Sequence, residues 1–130
     1  MDKVRFEAYN GMEYLYNDMS GCLPEEAEKC LMKSHELMCK CPEKSVLVLA
    51  NVEKIRFNKQ IVQTFKDVTK LNAPYVRTTA VFGLEGFTKL LVNTVAKFSG
   101  REMKAFDDLD KAKDWLHERY LQTVPLAQSS

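Results

Sequence analysis

Apolar and polar residues alternate at the start of the chain. Val4, Phe6 and Ala8 interleave with Lys3, Arg5 and Glu7, the period of two expected of a half-buried strand. Asn10-Gly11 follows, a pair that favours a two-residue hairpin because both turn positions need positive φ. "MEYLYND" then reads as the returning strand, with Met12, Tyr14 and Tyr16 on one face and Leu15 on the other. In "PEEAEKCLMKSHELMCK" the spacing changes to three and four. Ala27, Cys30, Leu31, Ser34, Leu37, Met38 and Cys41 form the stripe of an amphipathic helix. Pro24 suits the first helical position, where its missing N–H has no intrahelical partner to lose. Glu25 and Glu26 put negative charge near the positive end of the helix dipole, each worth about 0.3–1 kcal/mol. Pro42 marks the stop.

Ser45 to Ala50, "SVLVLA", is an almost unbroken apolar run, which predicts a central strand covered on both faces. Asn58 is the expected N-cap of a helix whose apolar side is Ile61, Val62, Phe65 and Val68. Pro74 closes that connection and "VRTTAVF" reads as the next strand. Gly83 and Gly86 straddle the turn into a third helix, with Phe87, Leu90, Leu91, Val95 and Phe98 on one stripe. After Gly100 comes a short strand from Met103 to Phe106. Asp107 or Asp108 then caps a final helix carrying Leu109, Ala112, Trp115, Leu116 and Tyr120. The order β-β-α-β-α-β-α-β-α predicts an α/β fold. Its mainly parallel mixed sheet has about five strands, the N-terminal antiparallel hairpin at one edge, and about four helices. The expected domain covers residues 1–122, and the tail "TVPLAQSS", residues 123–130, is expected to fray.

At 130 residues the chain is the size of one ordinary domain. It can bury roughly two-thirds of its unfolded surface, so no metal or disulfide is needed to hold it together. Apolar residues at 45% and charged residues at 28% exclude disorder for the main body. A net charge of +1 supplies no global field favouring nucleic acid or an acidic membrane surface. The longest uncharged apolar run, "SVLVLANV", is too short to cross a bilayer. "MDKVRFEAYN" lacks the apolar core of a signal peptide. A cytoplasmic protein is expected, with no nucleic-acid partner and no integral membrane association.

Candidate chemistry is sparse. Cys22, Cys30, Cys39 and Cys41 are even in number, but Cys30 lies in the helical stripe, where a thiol acts as a small hydrophobe. A metal set of Cys30, His35, Cys39 and Cys41 has the wrong geometry, since Cys30 and His35 are about 140° apart around a helix. The spacing also lacks paired Cys-x-x-Cys. His35 and Cys39 do share a face, which leaves transient metal affinity open. Neither a structural metal nor a cofactor is predicted.

No Gly-x-Ser-x-Gly elbow or Walker loop is present. "GLEGF" offers backbone N–H groups to an anion through Gly83 and Gly86, but Glu85 between them discourages one, and a tight strand-to-helix turn explains the glycines better. In "KFSGRE", Lys97 and Arg101 could grip an anion, or the motif could be how a helix stops. Gly100 fits the left-handed residue after a helix end, and Lys97 complements the negative end of the dipole. Arg101 is expected to pair with a carboxylate or with helix-end carbonyls. Asp107, Asp108 and Asp110 fit the first turn of a helix, and His117 reads as a solvated-face residue. No catalytic residue is assigned.

Four phrases, "GMEYLYNDMSG", "SVLVLANVEKIRFN", "NAPYVRTTAVFG" and "NTVAKFSGREMKAFDDLDKAKDWL", carry a resemblance to the STAS-like, SpoIIAA-like superfamily. Within it, the chain looks like the uncharacterised branch of short single-domain proteins. The resemblance implies a β/α superhelix and a non-enzymatic role in protein–protein regulation. In the anti-sigma-factor antagonists of that superfamily, a Ser or Thr at the start of the helix after the central strand is phosphorylated. The matching stretch here, "VEKIRFNKQIV", holds Asn58, Lys59 and Gln60, with no hydroxyl before Thr64, so the phosphoswitch is not expected.

A protein partner, unidentified, is expected at the loop from Asn51 to Lys59 and the adjacent turn, with Asn58, Lys59, Gly83, Glu85 and Gly86 as candidate contacts. The superhelical class also resembles CRAL-TRIO lipid-binding domains. That implies an alternative, a small apolar ligand near Phe57, Phe82, Leu84 and Phe87. The same side chains also serve simply to seal a core.

Overall fold

The structure is a computed structural model and describes residues 3–84 and 103–129. β1 (Val4–Tyr9) and β2 (Met12–Asp18) form the antiparallel hairpin, with Tyr9 opposite Met12 and Val4 opposite Asn17. Its turn is the expected one: Asn10 and Gly11 have φ of 49° and 83°, the left-handed pair that a two-residue connection requires.

α1 (Pro24–Met38) begins with Pro24 at its first position. Glu26 does more than complement the dipole, because its Oε1 accepts a hydrogen bond from the Leu23 backbone N–H at 3.0 Å. β3 (Val46–Asn51) is buried at every residue. α2 (Lys59–Asn72) is capped by Asn58, whose Oδ1 accepts from the Ile61 N–H at 2.8 Å. β4 (Val76–Phe82) and β5 (Met103–Phe106) complete the sheet. α3 (Leu109–Ser129) follows. Of the two aspartates proposed for its cap, Asp108 does the work, with Oδ1 accepting from Asp110 N and Lys111 N at 2.8 and 3.3 Å. The predicted helix between Gly86 and Gly100 lies outside the described residues.

The sheet runs β1-β2-β3-β4-β5, and every pair after the hairpin is parallel. Chain order and spatial order coincide, so each crossover advances one strand in the same direction. Right-handed crossovers of that kind place their helices on one face. Accordingly, α1 and α2 pack on the face presented by Leu15, Val48, Ala50 and Val81. α3 covers the other face through Ala112 and Leu116, against Met12, Tyr14, Leu47, Leu49 and Ala80. β3 therefore sends alternate residues into two cores, which is why its sequence reads as a continuous apolar run.

Candidate functional site

At the carboxyl ends of β2, β3 and β4 the chain builds a rim from three connections held tightly together. The Val52 N–H donates to Phe82 O at 2.9 Å, Gly21 N–H to Glu53 O at 2.8 Å, and Arg56 N–H to Cys22 O at 2.9 Å. Buried Asn51 locks the start of the loop: its Oδ1 accepts from Glu53 N at 3.1 Å and its Nδ2 donates to the Tyr16 hydroxyl at 3.1 Å. Gly83 has φ of 96°, and a Cβ on it would lie 2.7 Å from the Glu53 backbone nitrogen. Only glycine allows that approach. The outer side of the rim exposes Glu53, Lys54, Arg56, Asn58, Lys59 and Gln60.

The structure thus brings Asn58, Lys59 and Gly83 to one rim. Asn58 spends its oxygen on the helix cap, which leaves Lys59 as the exposed charge at the helix start. Glu85 and Gly86 lie outside the described residues.

Within the domain, between the sheet and the α1–α2 layer, is a cavity of about 90 Å³. Phe57 and Leu84 line it together with Val48, Phe65 and Val81. Phe82, expected alongside them, does not. Val81 faces this core, so strand alternation turns Phe82 to the α3 side, where its register partner is Phe106. Phe87 falls outside the described residues.

Sequence reasoning passed over the polar part of the cavity. Asn17 and Ser34 both line it, both are more than 95% buried, and Asn17 Oδ1 and Ser34 Oγ find no protein hydrogen-bond partner. Leaving such a group unsatisfied costs about 1–3 kcal/mol. The available signal was a polar residue set in each apolar stripe: Asn17 beyond Leu15, and Ser34 beyond Leu31.

Elsewhere, His117 departs from the solvated reading. It is half-buried, with Nε2 3.1 Å from the Asn10 carbonyl oxygen, and it packs edge-on to Tyr9. With the Tyr9 hydroxyl donating to Asp114 Oδ1 at 2.6 Å, it ties α3 to the hairpin. Burial pushes the Cys30 thiol up to about 11, with Cys22 adding to the effect. His35 and Cys39 do come together, at the amino ends of β3 and β4, with Cys39 Sγ 3.4 Å from His35 Nε2. Among the described residues, no three His, Cys, Asp or Glu side chains converge on a metal-sized site, and no helix is long and apolar enough to cross a membrane.

No family model matches the sequence, and no curated protein matches it. Among solved structures, a likeness extends to the crystal structure of an uncharacterized protein of the DUF3478 family with a SpoIIAA-like fold, from Shewanella loihica PV-4. The TM-score is 0.72, at 16% sequence identity, over 87% of this chain and 91% of that one. At that identity the likeness is one of fold, and it gives this chain a SpoIIAA-like architecture.

Proposed function

We propose that this SpoIIAA-like chain is a non-enzymatic regulatory module of the cytoplasm that docks a protein partner at the rim formed by the β3–α2 loop and the Gly83 turn. The observation that carries the reading is the Gly83–Glu53 approach, which makes two loops into one pre-organised surface. A surface ordered before binding loses less entropy when a partner arrives. Its exposed charges, Glu53, Lys54, Arg56 and Lys59, suit recognition by electrostatic complementarity more than chemistry. Asn58, Lys59 and Gln60 stand in the stretch that resembles the antagonists' phosphorylated site, with no hydroxyl before Thr64, so on this reading partner choice runs without that switch. The test is affinity capture on immobilised full chain. One protein retained by the wild type and released by Lys59→Glu is the expected result; equal retention by both removes the rim from consideration.

The cavity favours a second reading, capture of a small apolar molecule. Its size sets a limit. At about 90 Å³ it falls below the roughly 300 Å³ at which ligand pockets begin, so it suits a short amphiphile or a chain end more than a whole lipid. Asn17 and Ser34 would meet the polar group of such a molecule. Native mass spectrometry of freshly purified chain reads this directly as an added mass lost on denaturation, and a clean apo mass speaks for water in the cavity.

A further inference from the structure

At the end of the sheet away from the rim, the last turn of α1 meets the end of α2, and three polar side chains come together there. His35 and Cys39 are four residues apart, a spacing that places both on one helix face. Cys39 Sγ lies 3.4 Å from His35 Nε2 and 3.9 Å from Nδ1. His35 Nδ1 lies 2.6 Å from Oδ1 of Asn72, the last residue of α2, which is buried. An amide oxygen only accepts, so Nδ1 carries the proton and Nε2 of the neutral ring is left with its lone pair. Asn72 thus selects the tautomer whose basic nitrogen is the one nearer the sulfur.

The two distances put the sulfur beside the ring and off the Nε2 axis. Contacts of this kind are commonly loose before the reactant arrives, and Cys39 is exposed. The Tyr75 pKa is raised, first by negative charge on Cys39 and then by a hydrogen bond to it. One feature opposes reaction at this sulfur: Cys39 caps the C-terminal, negative end of α1, where the helix dipole disfavours an anion. The basic ring nitrogen beside the sulfur works against that effect. The other thiols are placed differently. Cys22 and Cys30 are buried, and Cys41 Sγ turns to the Leu37 carbonyl at 3.6 Å.

We propose that Cys39 is a base-assisted thiol that exchanges with low-molecular-weight disulfides, a modification site in which His35 accepts the proton and Asn72 positions His35. In the step, the Cys39 Sγ proton passes to His35 Nε2 as the sulfur attacks one sulfur of the disulfide R–S–S–R. The new Sγ–S bond forms while the S–S bond breaks. The departing RS⁻ takes the proton from His35 and leaves as RSH. Cys39 is oxidised to the mixed disulfide, the other half of the reagent is reduced, and a second thiol reverses the reaction.

The probe is oxidised glutathione on the folded full chain, with the adduct located by peptide mass spectrometry. Cys39 is expected to take the adduct about tenfold faster than Cys41 in the same molecule, and Cys39→Ser to abolish it. His35→Gln should slow the Cys39 reaction about tenfold. Asn72→Asp, which keeps an acceptor facing Nδ1, should retain the rate, and Asn72→Leu should fall to that of His35→Gln. Because Asn72 is buried, the His35→Gln rate, measured on protein shown to be folded by circular dichroism, decides the matter alone. A His35→Gln rate equal to wild type, or first modification at Cys41, overturns the proposal.

Discussion

On the α3 face of the sheet, Met12, Leu47, Leu49, Ala80, Ala112 and Leu116 pack into an apolar layer, and the Tyr14 hydroxyl beside them reaches Glu7 Oε1 at 3.2 Å. On the α1–α2 face the packing is interrupted by the cavity, and two buried polar atoms look into it unpartnered. Both faces use the same strands. The difference is that, among the described residues, the buried side-chain polar atoms left without a partner, Asn17 Oδ1 and Ser34 Oγ, both belong to residues lining the cavity of the α1–α2 face, and a purely structural layer has no reason to keep them. The rim lies at the carboxyl ends of the strands, where ligands of open α/β sheets gather. On the proposed function, the α3 face is the scaffold and the α1–α2 face with its rim is the working side.

The sharpest way to test that division is to remove a fully buried side chain from the scaffold. Leu116→Ala should destabilise the chain by about 2–5 kcal/mol, read as a lower urea midpoint. Next in size is the rim. Gly83→Ala places a Cβ against the Glu53 backbone at a left-handed φ and should cost about 1–3 kcal/mol, with capture of the partner falling as the two loops separate.

Alkaline titration then distinguishes the faces by order. Cys30 on the working side is held at about 11 against 9.0 for an ordinary thiol, and burial holds Tyr14 on the scaffold at about 12 against 10.0. A pKa raised by folding favours the protonated form, so this stability is complete below about pH 9 and is lost as pH rises, through 11 for Cys30 and through 12 for Tyr14. Cys30→Ala should delay the onset of alkaline unfolding. The smallest effect is expected at the cavity. Ser34→Ala removes an unsatisfied hydroxyl and should leave stability unchanged or raise it by up to about 1 kcal/mol. A loss as large as that of Leu116→Ala would erase the distinction between the two faces.

What was legible in the sequence was local. Asn10-Gly11 announced its own turn, Asn58 its own cap, and the unbroken run of β3 its double burial, because each signal is decided by neighbours in the chain. What escaped was decided by elements meeting in space. Phe82 looked equivalent to Leu84, but strand phase turns it to the other face. Asn17 and Ser34 are ordinary polar interruptions until β2 and α1 bring them to one cavity. His35 and Asn72 stand 37 positions apart, and no spacing rule links the end of one helix to the end of the next. The comparison with the SpoIIAA-like structure, at 16% identity, agrees with this: architecture persists where side-chain detail does not.

The central claim is that the rim, and not the α3 face, is the surface that recognises a partner. Paired charge reversals test it most directly, with Lys59→Glu at the rim and Lys111→Glu on exposed α3 surface, each immobilised as folded full chain and compared for partner capture. The account predicts that Lys59→Glu weakens capture by about tenfold while Lys111→Glu leaves it unchanged. Loss confined to Lys111→Glu, or equal capture by all three proteins, would contradict it.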